Sequence, residues 1–149
     1  MFTRAVMPTS PPATGTASAA MLSIRAALDF WKENGLQTFR DHAHSLVSQA
    51  RRQLLELDDT GPLFTPDESD FVSMAAVELP RPDDWEGGYH GHPDPLQTEL
   101  AERFQIEIPV GSFEGRRFIR VSSHLYNSEE DIARLMNALS AAKCLRETR

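Results

Sequence analysis

The chain has little lysine and almost no cysteine. Thirteen of its 15 basic residues are Arg, and the two lysines are Lys32 and Lys143. A single cysteine, Cys144, excludes an internal disulfide and any multi-cysteine zinc site. No apolar run approaches the roughly 20 residues a membrane helix needs, so nothing here is expected to span a bilayer. Pro8, Pro11 and Pro12 stand where a secretory signal requires a continuous apolar stretch, which points to a cytoplasmic protein. GxSxG, the P-loop lysine motif, HExxH and GxGxxG are all missing, which removes the common nucleophile, nucleotide and zinc-protease signatures.

The rest is globular in character: 149 residues, 40% hydrophobic and 25% charged, enough for one ordinary domain. The net charge of −7 is uneven. Residues 56–102 hold thirteen acids and one base, Arg81, while both flanks are mildly basic. An acidic middle argues against a nucleic-acid face, which needs a basic stripe, and fits a solvated, loop-rich surface.

Residues 1–17 are rich in Pro, Ser, Thr and Ala and form a linker-like start. From Ser18 the spacing of Met21, Ile24, Leu28 and Trp31 predicts a helix, with Gly35 as its stop. A longer helix is expected from about Leu36 to Leu57. Its apolar stripe is Leu36, Phe39, Ala43, Leu46, Ala50, Leu54 and Leu57, with Arg40, Gln49, Arg51 and Arg52 off it. Asp58 to Pro62 reads as a turn, and Phe71 to Leu79 as a strand or strand pair. After a Pro- and Gly-rich loop, Asp94 and Pro95 look like the N-cap and first residue of a short helix. Ile106, Ile108 and Val110 alternate as a strand, GSFEG turns the chain, and Arg117 to Ser122 forms a second strand. Ser128 and Asp131 form a capping box for a last helix with the face Ile132, Leu135, Leu139 and Ala142. This order gives a two-layer α+β domain.

Candidate chemistry is sparse. His90 and His92 flank a glycine, but a zinc site needs a third protein ligand from Glu86, Asp94 or His124, so no metal site is expected. His42 and His44 point to different helix faces. Cys144, beside Lys143 and Arg146 near a helix end, reads as structural. The segment that stands out is the strand around Arg120. Its side chain faces away from those of Ile119 and Val121. If that face lines a cleft, Arg120 offers a planar fork for a carboxylate. Spacing alone leaves open a solvent-facing arginine or an internal salt bridge.

Arg120, Ser122, Tyr126 and Asn127 make R-x-S-x-x-x-Y-N, and SEEDIARLMNAL follows as an acidic amphipathic helix. Together they resemble the C-terminal end of class V aminotransferase-fold enzymes, pyridoxal-phosphate proteins of fold type I. ATGTASAAMLSIRAALDFWKENG, with Gly15 and Thr16 before a helix, resembles the family's T-G-T segment. FVSMAAVELP and LQTELAERFQIEIPV resemble its isopenicillin-N epimerase-like subgroup. The likeness covers roughly residues 13–145, with the segments in order.

The resemblance implies that Arg120 pairs with the α-carboxylate of an amino-acid substrate. It implies that Thr16 reaches the phosphate of pyridoxal 5'-phosphate, often across a homodimer interface; Ala17-Ser18-Ala19 follows where members commonly carry an Asp. Residues 18–34 correspond to a helix at the end of the large cofactor domain, and residues 35–149 to the small C-terminal domain. The lysine that holds the cofactor covalently and the aspartate facing its pyridine nitrogen belong to the large domain. Neither Lys32 nor Lys143 lies in the family's lysine context, so no catalytic residue is assigned to this chain. It is expected to be inactive by itself, and a separately encoded N-terminal domain is an expected partner. The desulfurase branch carries a nucleophilic cysteine before the equivalent of Arg120; FQIEIPVGSFEGRRF has none. Epimerisation, transamination and elimination share one carbanion, and the residues do not choose among them. A reading from another class also stands: a non-catalytic α+β binding or interaction module, or the remnant of a split gene. No nucleic-acid or membrane partner is expected.

Overall fold

The computed structural model describes residues 16–64, 67–82, 85 and 93–142. The chain divides into two units, Met1–Leu36 and Gln37–Arg149. In the first, α1 (Thr16–Asn34) is an alanine-rich helix free of Pro and Gly. It stops at Gly35, whose φ of 79° suits a residue without Cβ, with the Gly35 N–H bonded to the Trp31 carbonyl. Met21, Leu22, Ile24 and Leu28 are exposed along this helix.

The second unit is built on α2 (Leu36–Leu55), β1 (Gly61–Leu63), β2 (Met74–Leu79), α3 (Pro95–Phe104), β3 (Val110–Phe113), β4 (Arg116–Ser122) and α4 (Glu129–Ala141). The strands form one antiparallel sheet in the order β1-β2-β4-β3. Local chemistry sets most boundaries. Thr60 Oγ1 donates to the Leu54 and Leu57 carbonyls and closes the end of α2. Asp94 caps α3 by accepting from the Leu96 N–H, with Pro95 next to it. Asp131 accepts from the Ser128 N–H at the start of α4. Glu114 and Gly115, both at positive φ, form the two-residue turn between β3 and β4 that strand twist favours.

The core lies between one sheet face and the helices. Leu54, Val77, Leu79, Leu96, Leu100, Val110, Ile119, Leu135 and Leu139 form its main cluster. Leu46, Ala50 and Ile132 extend it, and Val47, Phe71 and Ala75 make a smaller group. Each fully buried Leu or Ile here contributes about 1.5–3 kcal/mol of transfer free energy. The α+β two-layer expectation is met, and the predicted face of the last helix is buried throughout.

Four local expectations need correction. The segment read as a turn ends earlier, and Gly61–Leu63 pairs with β2 as an edge strand. The strand expected from Phe71 begins at Met74, because a 3-10 turn at Glu68–Asp70 precedes it; Phe71 is buried without joining the ladder. Ile106 and Ile108 are not in a strand. They keep the alternating burial and pack on the core, but the ladder starts at Val110, after Pro109, which has no N–H to donate. Arg51, expected off the stripe of α2, is buried, with its guanidinium 5.9 Å from the Phe71 ring centre.

Candidate functional site

Strand β4 carries two arginines on opposite faces. Arg117 shares the core face with Ile119 and is 1% exposed. Its Nε and Nη2 donate to Asp94 Oδ2 and Oδ1 at 2.8 and 2.7 Å, and Nη1 donates to the Pro80 carbonyl at 2.9 Å. Asp94 also accepts from the Trp85 indole and the Leu96 N–H, both at 2.9 Å. Burial alone raises the Asp94 carboxyl; the hydrogen bonds and charge of Arg117, with those two further donors, outweigh it and hold the group below its ordinary value. All four carboxylate contacts are internal, so this pair locks α3 to the sheet and is not open to a ligand. Sequence reasoning missed it, although the alternation that turns Arg120 outward turns Arg117 inward.

Arg120 lies on the sheet face opposite the one on which α2, α3 and α4 pack, across from Ala76 in the β2–β4 ladder. Its side chain is exposed and forms no ion pair among the described residues. It borders a cleft of about 250 Å³ at the end of β4, together with residues 105–109, Ser122, Ser123, Asn127, Asp131 and Arg134. Asn127 shapes the turn that closes this cleft. Its Oδ1 accepts from the His124 N–H at 2.9 Å, its backbone carbonyl lies 3.0 Å from His42 Nε2, and its Nδ2 reaches Asp131 at 3.4 Å. Tyr126 is exposed, its ring stacked on His124 with centres 5.0 Å apart. The arrangement leaves the Arg120 guanidinium fork exposed beside Ser122, Ser123 and Asn127, with the charged side chains of Glu107, Asp131 and Arg134 on the same cleft, and the fork itself is suited to a small carboxylate.

Thr16 is the first residue of α1, in the other unit. His44 Nδ1 contacts the Phe71 carbonyl at 3.1 Å, away from the partner of His42. Among the described residues no group of three His, Cys, Asp or Glu side chains could hold a metal ion. His90, His92, Lys143 and Cys144 lie outside the described residues. No helix among those described is long and apolar enough to cross a membrane.

No protein-family model matches the chain. Two curated proteins do. Isopenicillin N epimerase of Amycolatopsis lactamdurans is 30% identical over 118 residues, which is 79% of this chain and 28% of that protein. Isopenicillin N epimerase of Streptomyces clavuligerus is 32% identical over 121 residues, 80% of this chain and 28% of that protein. The chain is similar to the isopenicillin N epimerases of the class V aminotransferase fold. It spans little more than a quarter of their length, consistent with the C-terminal portion of such an enzyme. A solved structure, the cysteine desulfurase CsdA (S-sulfonic acid) from Escherichia coli, superposes with a TM-score of 0.63. That match has 21% identity over 87% of this chain and 31% of the other. At that identity the likeness speaks for the fold alone: the chain has the α+β architecture of a fold-type-I small domain.

Proposed function

We propose that the chain is the carboxylate-binding part of a pyridoxal-phosphate-dependent, isopenicillin N epimerase-like enzyme acting on an amino acid. The observation that carries this reading is Arg120, exposed and outside any ion pair among the described residues, at the border of the cleft at the end of β4. Thr16, at the start of a 19-residue helix, is the proposed phosphate contact, where free N–H groups favour an anion.

The described residues do not fit the covalent part of the cofactor site. Lys32 sits on α1 with its side chain 77% exposed, and its Nζ lies 3.3 Å from Asp29. The activity therefore depends on a lysine-bearing segment, in the same polypeptide or another, and homodimerisation in the cytoplasm belongs to the same reading. Substitution of Arg120 removes a charge-assisted contact, so Arg120→Gln in the assembled enzyme should lower kcat/KM for the amino acid by about 10- to 100-fold. The chain by itself, mixed with pyridoxal phosphate, should show no turnover. A borohydride-trapped pyridoxyl group on Lys32 accompanied by turnover would refute the reading.

A further inference from the structure

Arg120 stands where two depressions meet. The second, about 320 Å³, lies on the sheet face that carries Arg120 and is walled by Phe64, Met74, Phe113 and Phe118, with buried Leu63 and Ala76 beneath. Phe64 is held at a φ of 64°, a conformation that bulky residues rarely adopt. That backbone sets its ring edge-to-face on Phe113, centres 5.1 Å apart, and near Phe118 at 6.3 Å. Phe64, Met74 and Phe113 nonetheless remain 59%, 46% and 49% exposed. Among the described residues lining the depression, Arg120 is the one charged side chain.

We infer that this depression is a subsite for the apolar or aromatic side chain of a carboxylate anchored on Arg120. The inference rests on Arg120 as the carboxylate anchor proposed above and adds which carboxylates it takes. Three points favour this occupant. The volume falls at the small end of ligand sites, roughly 300–1,000 Å³. The wall supplies apolar and aromatic surface that water leaves readily. The lone cation at its border selects an acid over a neutral molecule of the same shape, because a guanidinium fork binds a carboxylate through two parallel hydrogen bonds. An amide side chain finds no hydrogen-bond partner on these rings, so such amino acids are disfavoured.

The test is a calorimetric titration of the full chain with 3-phenylpropionate, propionate and 3-phenylpropan-1-ol. Phenylpropionate should bind at least ten-fold more tightly than either of the others. Arg120→Gln should bring the acid down to the alcohol. Phe113→Ser and Met74→Ser, both at exposed positions where folding is not at stake, should each weaken phenylpropionate three-fold or more and leave propionate unchanged. If propionate and phenylpropionate bind equally, both through Arg120, the apolar subsite is overturned while the anchor stands. If neither acid exceeds the alcohol, the anchor itself falls and takes the subsite with it.

Discussion

Arg117 and Arg120 lie three residues apart on the same strand, an odd spacing that puts them on opposite faces, and they do opposite work. Arg117 points into the core, and its donors are taken up by Asp94 and the Pro80 carbonyl. Arg120 points to the opposite face, where it is exposed, and forms no ion pair among the described residues. The contrast separates an arginine that holds a fold from one available to a ligand. Residue type and neighbouring sequence do not make that distinction; the face of the sheet does.

The sharpest way to break the comparison is to remove the inner arginine. Arg117→Met leaves the Asp94 carboxylate buried without its counter-charge and should cost about 3–5 kcal/mol in urea unfolding. Adding Asp94→Asn, which keeps a capping side chain, should recover part of that loss; a single mutant within 1 kcal/mol of wild type would show the pair to be inert. Acid should find the same weakness. Because the Asp94 carboxyl is held below its ordinary value, the unfolded chain takes up this proton more readily than the folded one. Its stabilisation is complete above about pH 4 and is lost as pH falls through the lowered value, so unfolding midpoints should drop there and the drop should shrink in Asp94→Asn.

Smaller effects should sort by face as well. Ile119→Ala opens a cavity on the core side and should cost about 2–5 kcal/mol, whereas Met74→Ala on the open side should stay within about 0.5 kcal/mol. Asp131→Ala removes half of the capping box on α4 and should cost about 1 kcal/mol, read from the thermal midpoint. Least of all, Arg120→Gln should leave the unfolding free energy unchanged within about 0.5 kcal/mol while carboxylate binding falls to that of the neutral analogue. Equal destabilisation by Arg120→Gln and Arg117→Met would erase the contrast.

The helices were legible because their signals are local. Asp94-Pro95 and Ser128 with Asp131 carry their capping chemistry within a few residues, and the apolar spacing of α4 marks its buried face. The strands were less so. Gly61–Leu63 looks like a turn until β2 supplies its pairing, and Ile106 and Ile108 alternate like a strand without being one. At the site, simple alternation placed Arg120 on the face opposite Ile119. The partner of Arg117 lies 23 residues upstream, beyond any local pattern. The ring cluster has the same difficulty, since Phe64, Phe113 and Phe118 come together through tertiary packing. A window along the sequence contains half of such a feature at most.

The sheet also ends abruptly. Its outer strands are three and four residues long, β1 contains Pro62, and Pro109 immediately precedes β3. Short, proline-marked borders give an incoming strand few backbone groups with which to bond. Extension of the sheet by a neighbouring molecule is thereby discouraged, and self-association of this chain should proceed through surfaces rather than through growing ribbons.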